Sequence, residues 1–265
     1  MWRGVVISMN PTSLNILITG AGSGLGRGLA CCLGAKGHRL FLVDLNPQGL
    51  RETLDALGGD AVRATAHTVD IASAPHIRAL YSTLGAARID VLINNAGLQF
   101  VAPVPEFPEE RWDLLFDVML KGAFLMTQSA LPVMRKNGFG RIVNIGSIHA
   151  LIASPFKSAY VAAKHGLLGF SKVVALETGD TDITINTICP AYVRTPLVDA
   201  QIAAQAKSHG LSEQDVIEKI MLEPMPKKAF ITIDEIAVTT EFLMSRDARN
   251  ITGQTIVIDG GWTAR

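Results

Sequence analysis

LNILITGAGSGLGRGLACCLGAKG, Leu14 to Gly37, is the stretch whose reading decides the fold. Its first part is an apolar run with the length of a buried strand. Its last part is a small-residue segment of helical character, and TGAGSGLG, Thr19 to Gly26, lies between them. Gly20, Gly24 and Gly26 carry the spacing that allows a tight turn and close backbone approach to a diphosphate, whose charge the following helix N-terminus favours. An ordinary glycine turn would show the same letters, but the position between strand and helix favours a dinucleotide site.

Working outward, RLFLVD, ATAHTVD, IDVLINNAG, GRIVNIGS, ITINTICP and QTIVIDGG each read as a further buried strand. The segments between them are mostly long enough for crossover helices. The expected fold class is therefore α/β, a single Rossmann-type, doubly wound, seven-stranded parallel sheet with helices on both faces. A chain of 265 residues with 48% hydrophobic and 18% charged residues can bury the core such a domain needs. Residues 1–13 read as a loose N-terminal tail and 14–265 as one domain, with a small helical lid at about 196–230.

Composition excludes other classes. A formal net charge of zero points neither to nucleic acid nor to an anionic membrane. The opening MWRGVVISMNPTS is too weakly apolar for a signal peptide or a span. Cys31, Cys32 and Cys189 have neither metal-ligand spacing nor a disulfide framework. They read as reduced, buried thiols of a cytoplasmic protein, and no metal is expected.

The second strand ends in Asp44, where a carboxylate would accept bonds from the adenosine ribose hydroxyls and repel a 2′-phosphate. No arginine or lysine lies within the glycine turn or directly after Asp44, so NAD is expected over NADP; the plainer reading of Asp44 is a helix cap. Asp70 closes the third strand and either meets the adenine amino group or caps a helix beginning near Ala72. Asn94 to Gly97, NNAG, would hold backbone between strands and line the adenine ribose. The long apolar segment RWDLLFDVMLKGAFLMTQSALPVMRKNG reads as core packing or subunit contact.

SIHALIASPFKSAYVAAKHG, Ser147 to Gly166, holds the reactive groups. Helical patterning from about Ser158 sets Tyr160 and Lys164 on one face, where a cation near a phenol favours the phenolate. Ser147 could hold a substrate oxygen. Taken alone, the pair reads as a surface Tyr and Lys in contact.

Together, TGAGSGLG, NNAG, the serine after a strand, YVAAK and CPAYVRTP resemble the short-chain dehydrogenase/reductase family over nearly the whole chain. The resemblance implies that Tyr160 exchanges the substrate proton and Ser147 holds the substrate oxygen. It implies that Lys164 lowers the Tyr160 pKa and binds the nicotinamide ribose. Gly20, Ser23, Gly24, Leu25, Gly26, Asp44, Asp70, Asn95, Ala96, Gly97, Pro190, Val193 and Thr195 would complete the NAD site with Tyr160 and Lys164.

Within that family, NNAGLQFVAPVPEFPEERWD, ASPFKSAYVAAKHGLLG and ITGQTIVIDGGWTAR are similar to the branch acting on D-3-hydroxybutyrate. That similarity implies a 3-hydroxy or 3-oxo carboxylate substrate, gripped by Gln99, His149, Lys157 and Gln201, and a homotetramer. Residues 199–230 read as two short helices, able to close over the substrate or to stand as a static hairpin, and Trp262 reads as packing at the site or, by default, across a subunit boundary. Met119 departs from the family pattern, standing where an asparagine usually holds the water behind the lysine, which implies a rearranged proton relay. Ala191, where many relatives have glycine, is a milder departure. Two rival readings are a reductase of β-ketoacyl thioesters and a nucleotide-binding protein without catalysis.

Overall fold

Every apolar run forms its strand: β1 (Asn15–Thr19), β2 (Arg39–Asp44), β3 (Ala64–Thr68), β4 (Val91–Asn94), β5 (Gly140–Ile145), β6 (Ile183–Pro190) and β7 (Thr255–Ile258). The computed structural model describes residues 13–58, 63–85 and 87–264, so the expected tail, apart from Ser13, lies outside the described residues. All neighbouring strands are parallel, in the order β3-β2-β1-β4-β5-β6-β7. The order reverses between β1 and β4, and at such a switch point the crossovers diverge and leave a crevice beyond the strand C-termini.

Alternation along β1 explains the layers. Ile16 and Ile18 face a core with Leu29, Leu33, Ile236 and Leu243, while Leu17 faces the opposite core with Ile77, Leu80, Met126 and Val174. The first core lies under α1 (Gly24–Ala35) and α9 (Ile233–Met244). The second lies under α3 (Ala74–Leu84), α5 (Gly122–Asn137) and α6 (Ser158–Glu177). Truncating a fully buried residue such as Leu29 to alanine should cost about 2–5 kcal/mol. β4, β5 and β6 are buried along their whole lengths. β3 is not the buried strand its sequence suggests: it forms one edge of the sheet and its residues are mostly exposed, so its alanines, threonines and histidine need no apolar partner layer.

Local chemistry sets the helix ends. Asn46 accepts from Gln48 and Gly49 N–H to begin α2 (Pro47–Ala56), with proline in its first turn. Ser73 begins α3, so that helix starts at Ala74 and Asp70 is not its cap. The long apolar segment is α4 (Glu109–Phe116) and α5 joined through one π turn, Asp117–Lys121, which contains Met119. The segment after β6 forms α7 (Pro196–His209) and α8 (Glu213–Val216), with Val198, Ile202, Val216 and Met221 packed between them.

Candidate active site

A cleft of about 600 Å³ opens at the switch point, and every residue of the expected NAD site and substrate grip lines it. Its nucleotide side is built from backbone. Gly20 (φ 67°) and Gly24 (φ 51°) sit in the left-handed region, and a Cβ on Gly26 would run into the Gly20 carbonyl. Ser23 makes no side-chain cap to α1, so the first-turn N–H groups of that twelve-residue helix remain available to an anion. Asn95 fixes the floor: its Nδ2 donates to Thr19 O at 2.9 Å, and its backbone N–H donates to Thr19 Oγ1 at 3.0 Å.

Asp44 clamps the turn to β2, Oδ2 accepting from Gly22 N–H at 2.8 Å and Oδ1 from Asn46 N–H at 2.9 Å. Carboxylate oxygens keep further lone pairs, so ribose hydroxyls can still be accepted. Gly22 went unnoticed in the sequence, yet a Cβ there would stand 2.9 Å from the Asp44 carboxylate. Arg27 also lies beside this turn, but its Nη2 donates to Gly22 O at 2.5 Å and to Glu52 Oε2 at 2.8 Å. Asp70 accepts from Ala72 N–H at 2.9 Å while lining the cleft.

The reactive side is built from buried side chains. Tyr160 and Lys164 lie one turn apart on α6, and Ser147 ends the β5 connection facing them. The Ser147 hydroxyl draws the Tyr160 pKa down, but burial outweighs it and leaves the phenol above its ordinary value. Lys164 Nζ donates to Ile145 O at 2.6 Å and stands 5.8 Å from the Tyr160 ring centre. Burial lowers Lys164 itself to about 8, despite the opposing influence of Cys189. Below the trio, Asn94 Nδ2 donates to Asn144 Oδ1 at 2.8 Å and Asn144 Nδ2 to Ser171 Oγ at 2.9 Å, a polar floor that ties β4, β5 and α6 together.

Met119 is buried in the π turn and packs on Gly97. With Thr19, Asn94, Ile71, Val118 and Leu167 it lines a small void beside Lys164.

On the substrate side, Lys157 is only 9% exposed, lowered by burial, and forms no ion pair among the described residues; its Nζ stands 5.8 Å from the Tyr192 ring centre. The Gln99 amide oxygen is buried without a partner. His149 is held down to about 4 by burial, then by Lys157 and His165, so its ring is neutral near pH 7. Both ring nitrogens already meet hydroxyls, Nε2 with Ser154 Oγ at 2.7 Å and Nδ1 with Ser147 Oγ at 3.4 Å. Gln201, on α7, completes this side.

Tyr192 adds an aromatic wall, and Trp262 packs behind it. Trp262 packs edge-on against His149 (6.3 Å between centres) and tilted against Tyr192 (5.9 Å). Of the two expectations for Trp262, packing at the site is the one seen within the chain, where the turn after β7 brings it against His149 and Tyr192. Tyr192 was missed although it follows Pro190 and Ala191 in the same cleft-lining loop. Of the three thiols, all free, only Cys189 is buried, whereas Cys31 and Cys32 are partly exposed on α1.

Residues 14–206 match the family model described as short chain dehydrogenase. The chain is 43% identical over 253 residues to "D-beta-hydroxybutyrate dehydrogenase" of Rhizobium meliloti (strain 1021), covering 94% of this chain and 98% of that protein. It is 42% identical to the protein of that name from Cupriavidus necator, covering 94% and 97%. Among solved structures, a single-substitution variant of actinorhodin polyketide ketoreductase with NADPH superposes with a TM-score of 0.90 at 32% identity, covering 96% of this chain and 98% of that one.

Proposed function

This chain belongs to the short chain dehydrogenase family, and we propose from that premise that it interconverts (R)-3-hydroxybutyrate and acetoacetate with NAD as cofactor. The observation that carries the substrate is Lys157, a buried cation with no carboxylate partner among the described residues, in one cleft with Ser147, Tyr160 and Lys164. Burying an ammonium without a counter-charge is costly, and an anionic substrate relieves that cost while fixing which end faces the trio. Gln99, His149 and Gln201 would share the grip, with His149 exchanging one serine for the carboxylate.

The residues fit the nicotinamide dinucleotide: the glycine cradle has no room for a side chain, the α1 N-terminus is uncapped, and Asp44 lines the cleft beside the glycine turn, where it would meet the ribose. Bound there, the nicotinamide supplies a hydride acceptor or donor at C3 of the substrate. Tyr160 takes the hydroxyl proton during oxidation and returns it during reduction. Ser147 holds the same substrate oxygen and stabilises its charge. Lys164, poised near 8, would donate to the nicotinamide ribose and favour the Tyr160 phenolate once the cleft is filled. Pro190, Val193 and Thr195 would border the nicotinamide, and Ser23, Leu25, Ala96, Gly97 and Asp70 the remainder of the dinucleotide. Asp44 favours NAD, and the commitment of Arg27 to Glu52 leaves no free guanidinium beside it for a 2′-phosphate.

A cytoplasmic homotetramer fits the outer faces of α5 and α6, where Phe124 (42% exposed), Val173 (53%) and Leu176 (85%) await cover. A second reading, reduction of β-ketoacyl groups with NADPH, is favoured by the likeness to the polyketide ketoreductase. The two are separated by assaying purified protein with 3-hydroxy acids of both hands and with β-ketoacyl thioesters, each with NAD(H) and NADP(H). The reading expects (R)-3-hydroxybutyrate with NAD⁺ to give the largest kcat/KM. Faster turnover of thioesters with NADPH would replace it.

A further inference from the structure

Just before α6 the chain sets two neighbours in an inverted order. Phe156 is 55% exposed, whereas the next residue, Lys157, is 9% exposed and lines the cleft. Solvation alone would place the ring inside and the ammonium outside. The backbone shows how the reversal is held: Phe156 has φ 67°, in the left-handed region, and among the described residues Lys228 is the only other non-glycine residue there. A bulky side chain in that region crowds the backbone carbonyl, so the conformation persists only where neighbouring structure enforces it.

Two hydrogen bonds enforce it. The Phe156 carbonyl accepts from Ala102 N–H at 3.0 Å, and the Lys157 carbonyl accepts from Val161 N–H at 2.9 Å, in the first turn of α6. Ala102 lies in the loop after β4 that also carries Gln99, whose buried amide oxygen has no partner. That loop is itself anchored, because Leu98 and Phe100 pack against Leu115, Met119, Ala159 and Ala163. The Phe100 ring also lies edge-on to Phe107, 5.4 Å between centres. One backbone hydrogen bond thus links the two segments that bring Lys157 and Gln99 to the cleft.

We propose that Phe156 is a positioning residue whose left-handed backbone, pinned by Ala102 N–H, turns Lys157 into the cleft and sets it against Gln99; this rests on the reading of Lys157 as a carboxylate grip. Backbone conformation, not the exposed ring, does this. Glycine enters the left-handed region freely and asparagine at little cost, so either keeps Lys157 inside. A β-branched residue crowds the backbone further and drives the segment out of that region. With φ negative the Phe156 carbonyl parts from Ala102 N–H, and the Lys157 ammonium is drawn to water.

The test compares the full chain as wild type, Phe156→Gly, Phe156→Asn and Phe156→Val. Every variant loses the ring, so only the preference for the left-handed region separates them. Phe156→Val should raise KM for 3-hydroxybutyrate about 10-fold, leaving kcat, NADH affinity and KM for a neutral secondary alcohol within about 2-fold of wild type. Phe156→Gly and Phe156→Asn should keep KM within about 3-fold of wild type. Wild-type KM in Phe156→Val, or an equal loss in all three variants, overturns the proposal. A second readout needs no turnover: acetylation of lysines followed by peptide mass spectrometry, with exposed Lys36 as the reference. Lys157 should label several-fold faster in Phe156→Val than in wild type, and as slowly as wild type in the glycine and asparagine variants. Unchanged labelling in Phe156→Val overturns the proposal. Should the valine chain not fold, Phe156→Ala, which also disfavours the region, is read the same way against Phe156→Gly. A wild type that oxidises no 3-hydroxy acid sinks the functional reading alone, leaving the labelling to decide whether Phe156 places Lys157.

Discussion

The two sides of the cleft use different materials. The nucleotide side, at the ends of β1, β2 and β4, is glycine and backbone, braced by side chains such as Asn95 and Asp44 whose hydrogen bonds hold the turn in place. The reactive side, at the ends of β5 and β6 and the start of α6, is built from desolvated side chains: Tyr160, Lys164, Lys157 and His149 are all shifted by burial. A diphosphate needs many N–H groups at close range, which only bare backbone offers. Proton transfer needs side chains that give and take a proton beside the reacting atoms, which this side supplies. Binding and chemistry should therefore fail separately.

The largest effect should come from Tyr160→Phe, which removes the exchanging proton while keeping the ring's packing. Turnover should fall about 1000-fold or more, read by NADH absorbance, and a loss under 10-fold would place the proton chemistry elsewhere. Next, Lys157→Ala should raise KM for 3-hydroxybutyrate about 10–100-fold while changing a neutral secondary alcohol little, from the loss of a charge-assisted contact. Equal losses for both substrates would assign Lys157 to folding.

A third expectation concerns acid stability. His149 titrates near 4 in the folded chain against an ordinary 6.5, so between those values the unfolded chain binds a proton that the native chain refuses. Stability from this group is thus fully present above 6.5 and falls as pH drops toward 4, by roughly 3 kcal/mol in all. His149→Gln should flatten that part of the unfolding curve measured by urea titration, and an unchanged slope would mean that His149 is not buried in solution. Smallest is Met119→Asn, which puts a polar group behind Lys164. It should change kcat only a few-fold while shifting its pH profile, and an identical profile would show that the space behind Lys164 carries no proton traffic.

The same contrast explains what the sequence disclosed. The nucleotide side was legible because local geometry writes it: glycines between a strand and a helix, a carboxylate ending β2, asparagines ending β4. Gly22 was missed because its constraint is the Asp44 carboxylate, distant in sequence. The reactive residues were legible by spacing and resemblance, but their electrostatics were not. That Lys164 turns to Ile145 O, that both nitrogens of His149 meet serines, and that Trp262 closes on His149 are all tertiary facts. β3 misled because an edge strand and a central one differ in their neighbours more than in their length.

The most direct measurement of the division is NADH affinity, read by fluorescence titration on wild type, Tyr160→Phe and Gly26→Ala side by side. Tyr160→Phe should bind within a few-fold of wild type although it no longer turns over. Gly26→Ala should lose measurable binding because its methyl group occupies the cradle. Loss of affinity in Tyr160→Phe matching its loss of turnover, or wild-type affinity in Gly26→Ala, would contradict the account.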